Sequence, residues 1–212
     1  MTDLKGLYDA ILNGDAKAAA ALTAQALAEE RDPLEMVNQY MSPAMDEVGR
    51  RFEAEEYFVP ELLLSARAMK AALALVRPLL AARGAKPAGR VAIGTVKGDL
   101  HDIGKNLVAS MLEGGGFQVI DLGVDVAPEK FLEAAKEKDG TIVALSALLT
   151  TTMVTMKRVV DALQQAGIRQ KTRVMIGGAP ITQQYADEIG ADGYSDNASG
   201  AVAVARKLAV QS

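Results

Sequence analysis

Val96-Lys97-Gly98-Asp99-Leu100-His101-Asp102-Ile103-Gly104-Lys105-Asn106 follows the apolar run Val91 to Thr95 and leads into an amphipathic run that stops at Gly114-Gly115-Gly116. That order reads as a strand, a loop and a helix. The loop holds the one histidine among 212 residues, with Asp99 two positions before it and Asp102 directly after. Its place after a strand puts it at the C-terminal edge, where open parallel sheets bind ligands. In Asp99-x-His101-x-x-Gly104 the aspartate can accept a hydrogen bond from one ring nitrogen. That fixes the tautomer and leaves the other nitrogen as a metal donor. Gly104 removes a side chain where a bulky planar ligand would pass.

Outward from this loop, strands and helices alternate from Arg90 to the end. Strand runs are Val91 to Thr95, Gln118 to Leu122, Thr141 to Leu145, Arg173 to Ile176 and a short Gly193 to Ser195. Helical runs fall near Gly104 to Glu113, Pro128 to Lys138, Thr152 to Ala166, Thr182 to Ile189 and Ala198 to Val210. This alternation predicts an α/β domain, a flavodoxin-like (Rossmann-like) doubly wound five-stranded parallel sheet. Candidate ligand residues follow the third, fourth and fifth strands: Ser146-Ala147-Leu148 with Thr150-Thr151-Thr152, then Gly177-Gly178, then Tyr194-Ser195-Asp196-Asn197-Ala198. Each is weak alone, since Gly-Gly is commonly a turn and a threonine trio before a helix is primarily an N-cap.

Before the loop, residues 1–83 read as helix throughout, a four-helix bundle at the N-terminus. Leu4, Leu7, Tyr8 and Ile11 form one stripe, ended by Asn13-Gly14, and Asp15 begins an alanine-rich segment to about Arg31. Pro33 opens a third helix with the stripe Val37, Met41, Ala44, Val48 and Phe52, and a kink or local break is expected at Pro43. The fourth, Pro60 to Arg83, places Leu62, Ala66, Met69, Leu73, Val76 and Leu80 at alternating steps of four and three, the seam of a packed bundle. Pro78 should bend its last turns. Gly84 to Gly89, with Gly and Pro breaking the helical period, reads as a linker, and residues 90–212 as the α/β domain.

Half of the residues are apolar, which argues for globular domains, and the net charge of -4 argues against a nucleic-acid footprint. No cysteine means no disulfide and no thiolate metal site, as in a protein of the reducing cytoplasm. The start lacks a basic region followed by an apolar stretch. Nowhere do about eighteen apolar residues run together, so no membrane span is expected.

The string VKGDLHDIGKN resembles the corrinoid-binding loop of cobalamin-dependent methyltransferases. The resemblance continues in family order through Ser146-x-Leu148, the hydroxyl of Thr152 six residues after that serine, and Gly177-Gly178. It implies a stand-alone corrinoid protein, similar to the cap and cobalamin-binding domains of cobalamin-dependent methionine synthase. It further implies His101 as the lower axial ligand of cobalt, with Asp99 and Thr152 forming a relay behind it. Gly98, Asp102, Ile103 and Gly104 would belong to the corrinoid loop. Ser146, Leu148, Thr150, Gly177, Gly178, Tyr194, Asn197 and Ala198 would line the slot for the displaced nucleotide tail. The bundle resembles the helical cap over the upper corrin face, and alignment on Phe58-Val59-Pro60 places the shielding side chains at Phe52 and Val59. Valine stands where the family has leucine, Ala147 where it commonly has glycine, and Thr152 where it has serine.

The implied role is a methyl carrier, one component of a multi-protein system rather than a self-sufficient enzyme. A substrate-specific methyltransferase would load Co(I), and a corrinoid-to-folate or corrinoid-to-thiol methyltransferase would unload it. A reductive activase would restore lapsed cobalt. Two rivals share the cobalamin domain. A cobalamin-dependent sensor usually carries a DNA-binding segment and a tryptophan in its bundle, whereas this chain has no Trp. The small subunit of a cobalamin mutase lacks the methyl-shielding bundle that, by the resemblance, residues 1–83 would supply.

Overall fold

The computed structural model describes residues 2–84 and 87–210. The chain divides into two compact units: the first ends at Pro87 and takes in 113–116, and the second begins at Ala88 and holds the rest. Ala85 and Lys86, in the middle of the expected linker, lie outside the described residues.

The first unit is helical: α1 (Leu4–Leu12), α2 (Ala16–Ala28), α3 (Pro33–Met36), α4 (Ser42–Glu53) and α5 (Val59–Ala82). Asp15 caps α2, its carboxylate accepting from Ala18 N at 2.9 Å, and Asp32 caps α3 from the residue before Pro33. The expected break at Pro43 takes another form. A π-helical stretch, Val37–Met41, joins α3 to α4, so the helix runs on past the proline. Proline has no N–H to donate, and a wider turn just before it absorbs the mismatch. In α5 the helix likewise extends to Ala82 with Pro78 inside it. Leu62, Ala66, Met69, Leu73 and Val76 are buried as a stripe; together with Leu7, Ile11, Met36 and Met41 they make the core. Each large side chain so buried contributes about 1.5–3 kcal/mol.

The second unit alternates β1 (Arg90–Thr95), α6 (Ile103–Gly114), β2 (Gln118–Asp121), α7 (Pro128–Lys136), β3 (Thr141–Ser146), α8 (Thr150–Gln165), β4 (Arg173–Gly177), α9 (Gln183–Ile189), β5 (Gly193–Tyr194) and α10 (Ala198–Val210). Among the described residues the strands form a parallel sheet in the order β2-β1-β3-β4-β5. The doubly wound flavodoxin-like reading therefore holds. Central strands β1, β3 and β4 are buried along nearly their whole length, as a sheet covered on both faces requires, while edge strand β2 is not.

Two features of the sheet position the site. The order reverses at β1, which passes to β2 on one side and has β3 on the other, so the loops after β1 and β3 open onto the crevice where such folds bind ligands. Thr95 also lies beside Ser146, and Ser146 beside Gly177, so three strands end level and their loops start from one edge.

Candidate functional site

Asp99 is the centre of the site. Its side chain is buried, the residue being 1% exposed, and its carboxylate has four donors. Oδ1 accepts from His101 N at 3.1 Å and lies 2.8 Å from His101 Nδ1; Oδ2 accepts from Leu148 N at 2.8 Å and Thr152 Oγ1 at 2.7 Å. One buried charge thus ties the loop after β1 to the loop after β3. Burial alone would raise its pKa. The hydrogen bonds from Leu148, Thr152 and His101 outweigh that and hold the carboxyl well below the usual carboxylate range. An ionised Asp99 can only accept, so the His101 ring donates through Nδ1 and carries its lone pair on Nε2. Nε2 has no protein partner among the described residues, and the His101 side chain is 54% exposed.

The surroundings suit a large, flat, partly apolar ligand. Leu100 and Ile103 flank the histidine at 73% and 84% exposure, and Leu148 and Leu149 are also exposed. Apolar side chains left open around a free metal-donor nitrogen are unusual for a bare protein surface. A Cβ on Gly104 would meet no protein atom within 4 Å, so protein packing does not account for its lack of a side chain. These residues fit a corrinoid whose cobalt takes a histidine nitrogen.

The remaining candidates are placed as follows. Gly98 has φ +90°, a left-handed conformation that favours glycine. Thr152 does not cap a helix as the trio Thr150-Thr151-Thr152 suggested. Helix α8 begins two residues earlier than expected, with Leu149 at its N-cap in extended backbone and Thr150 exposed in its first turn. The Thr152 hydroxyl reaches Asp99 instead, and lies 2.9 Å from Leu149 O. Ser146 is half-buried at the end of β3. Gly178 is demanded by the protein itself, and Gly177 sits in a tight place. A Cβ on Gly178, at φ +131°, would fall 1.9 Å from Ala147 O, and one on Gly177 3.1 Å from Ser195 O. Asn197 immediately precedes α10, its Oδ1 accepting from Gly200 N at 2.7 Å, and Ala198 is buried. Tyr194 is half-buried in β5, and Asp102 accepts from Asn106 Nδ2 at the start of α6. No described hydrogen bond joins Asp102, Tyr194 or Asn197 to His101. Phe52 is half-buried and Val59 exposed, both in the helical unit.

Two residues that position His101 had no signal in the sequence beyond their strand and loop placement. Thr95, fully buried, donates from Oγ1 to His101 O at 2.7 Å. Asp125 holds the preceding backbone, with its own carboxyl below the ordinary value because Lys97 and then Gly98 N hydrogen-bond to it.

This fold and site define a B12-binding protein, and residues 89–203 match the B12 binding domain family, with residues 3–77 matching a second B12 binding domain family. The chain is 45% identical to trimethylamine corrinoid protein 1 of Methanosarcina mazei over 92% of its own length and 91% of that relative. It superposes on a cobalamin-binding protein from Desulfitobacterium hafniense with a TM-score of 0.82 at 32% identity, covering 98% of this chain and 99% of that one. It also superposes on a chain of the methanol:cobalamin methyltransferase complex MtaBC from Methanosarcina barkeri, with a TM-score of 0.85 at 28% identity, covering 99% and 80%. The chain belongs to the family of B12-binding corrinoid proteins.

Proposed function

We propose that this corrinoid protein carries a methyl group between two methyltransferases, with His101 Nε2 as the lower ligand of its cobalt. The observation that carries the ligand assignment is the imidazole itself: Nδ1 anchored on a buried carboxylate 2.8 Å away, Nε2 free, exposed apolar side chains beside it. The methyl-carrier role rests on the corrinoid proteins and methyltransferase complex that the chain resembles. When bound, the corrinoid supplies the cobalt that takes up and gives up the methyl group.

What this chain's residues do follows from their contacts. Asp99 accepts from Nδ1 and so turns the Nε2 lone pair outward, and Leu148 N and Thr152 hold the Asp99 carboxylate in place. Ser146, Leu148, Thr150, Gly177, Gly178, Tyr194, Asn197 and Ala198 are proposed to meet the nucleotide tail. Residues 1–83 are proposed as the cap, with Phe52 and Val59 as its apolar lid, 84–89 as the linker, and 90–212 as the cobalamin domain. Partners would be a substrate-specific methyltransferase, a folate- or thiol-dependent one and a reductive activase. A cytoplasmic location is proposed, with which the lack of cysteine is compatible. Among the described residues no helix is long and apolar enough to cross a membrane.

One histidine per chain makes the ligand test direct. Protein made with nitrogen-15 histidine and loaded with Co(II) cobalamin should change the nitrogen superhyperfine pattern of its electron paramagnetic resonance spectrum from three lines to two. A pattern untouched by the label would show that the nitrogen on cobalt is not that of His101.

A further inference from the structure

The sequence points to the loops after β1, β3, β4 and β5. The end of β2 and the loop after it, residues 121–126, carry no motif, yet they grip the His101 segment at both ends. Near the start, Asp125 makes three contacts. Its N donates to Asp99 O at 2.9 Å, its Oδ1 accepts from Gly98 N at 2.8 Å, and its Oδ2 pairs with Lys97 Nζ at 2.8 Å. It does so from a left-handed backbone, φ +54°, which a non-glycine residue adopts only when its surroundings hold it there. At the far end, Lys105 is buried in the first turn of α6 and gives both oxygens of Asp121 a hydrogen bond at 2.6 Å. Asp121 Oδ1 also accepts from Gly123 N at 2.9 Å, which ties the two grips into one loop.

Between these grips, Leu100 to Gly104 is exposed and the first three of these residues have no regular secondary structure. A metal donor on such a segment needs its direction set from outside, because ligand geometry tolerates only about 0.5 Å of drift. Asp99 cannot supply that alone, since its carboxylate is aimed only as well as its backbone is held. Gly98 N and Asp99 O are the backbone groups that Asp125 takes. The bland role for Asp125, closing its own loop, would not direct its carboxylate onto the neighbouring strand's loop.

We propose that Asp125 is a positioning residue for the axial ligand, acting on the metal only through Gly98 and Asp99. This rests on the reading of His101 as that ligand. Removing the Asp125 carboxylate lets the imidazole leave cobalt while the corrinoid stays bound, because none of its described contacts is to a proposed tail residue.

Two variants of the full chain test it. Asp125→Gly removes both carboxylate oxygens, keeps the backbone N–H and suits the left-handed backbone; Asp125→Asn keeps an acceptor for Gly98 N and also tolerates that backbone. In the Co(II) form with nitrogen-15 histidine, the ratio of ligated to unligated cobalt should fall roughly tenfold in the Gly variant, the scale of one lost hydrogen bond to a charged group. The Asn variant should regain most of it, with cobalt content per chain unchanged in both. In the cofactor-free protein, the Gly98 amide should exchange faster in the Gly variant than in the Asn variant, which reads the same contact without cobalt. Full ligation in Asp125→Gly, or cobalt lost in step with ligation, would overturn the proposal while leaving the His101 assignment intact. Absence of the label effect in the unmutated protein would overturn both.

Discussion

Replacing Asp99 by asparagine keeps the shape of the central side chain and removes one acceptor and the charge. Four donors converge on the wild-type carboxylate: His101 N and Nδ1 on one oxygen, Leu148 N and Thr152 Oγ1 on the other. The Thr152 hydroxyl can turn to Leu149 O, 2.9 Å away, and so escapes. The two backbone N–H groups cannot. Whichever way the amide is set, its NH2 faces either His101 N or Leu148 N, and a donor stranded at a site 1% exposed costs about 1–3 kcal/mol. The bonds that survive lose their charge assistance, so we expect a total near 2–4 kcal/mol at neutral pH. The sign of the pH dependence follows from the direction of the shift. The folded Asp99 carboxyl lies below its ordinary 3.8, so its contribution is fully present above that value and is lost as pH falls through it toward the folded pKa. The asparagine does not titrate, and the gap between the two proteins should narrow below about pH 4. Urea unfolding of the cofactor-free chain measures the gap, and amide exchange at Val143 and Leu145 in β3 reads the sheet unit by itself. A gap under about 0.5 kcal/mol at pH 7, or one that does not shrink in acid, would refute the reasoning. If the NH2 faces the ring, Nδ1 must accept and the ring proton moves to Nε2, so the same variant should also lose histidine ligation of cobalt.

His101→Ala should keep cobalt in the protein and abolish the label-sensitive nitrogen splitting; cobalt lost with the imidazole would mean that the tail slot alone does not hold the cofactor. Gly178→Ala puts a methyl 1.9 Å from Ala147 O at φ +131°, and should cost about 3 kcal/mol or more in urea unfolding; wild-type stability would show that the two loop backbones can part at little cost. Asp121→Ala strands a Lys105 ammonium whose side chain is 2% exposed and should cost about 3–5 kcal/mol, whereas Lys105→Met keeps the buried stem and should be nearly neutral. The reverse order of midpoints would place the energy in Asp121 itself. Methylcobalamin on residues 90–212 should photolyse faster than on the whole chain, with Phe52→Ala between them. Equal rates under the same illumination would remove Phe52 from any shielding role.

What the sequence made legible follows from which interactions are local. The strand-helix alternation and the apolar stripe of α5 are short-range patterns, and both the sheet order and the buried positions Leu62 to Val76 follow them. Asp99 to His101 is a two-residue spacing, and its 2.8 Å contact was readable for the same reason. Other contacts cross between segments. Thr152 is 53 positions from Asp99, and only a family resemblance pointed to that pair; read locally, a threonine before a helix is an N-cap, and the structure gives that place to Leu149. Asp125 is 27 positions from Gly98, and an Asp in a Gly-Val-Asp turn looks like turn chemistry. Its left-handed φ lies where a parallel neighbour strand ends beside it, with Val96 bridging Val126. The π stretch before Pro43 belongs with these, since a proline says that a hydrogen bond is missing but not where the helix absorbs the loss. In each case the residue type announced a need, a lone carboxylate to satisfy or an N–H to do without, and tertiary structure chose the partner. That is why the proposed metal ligand could be picked out within eleven residues, while the residue proposed to aim it could be named only once β2 was placed beside β1.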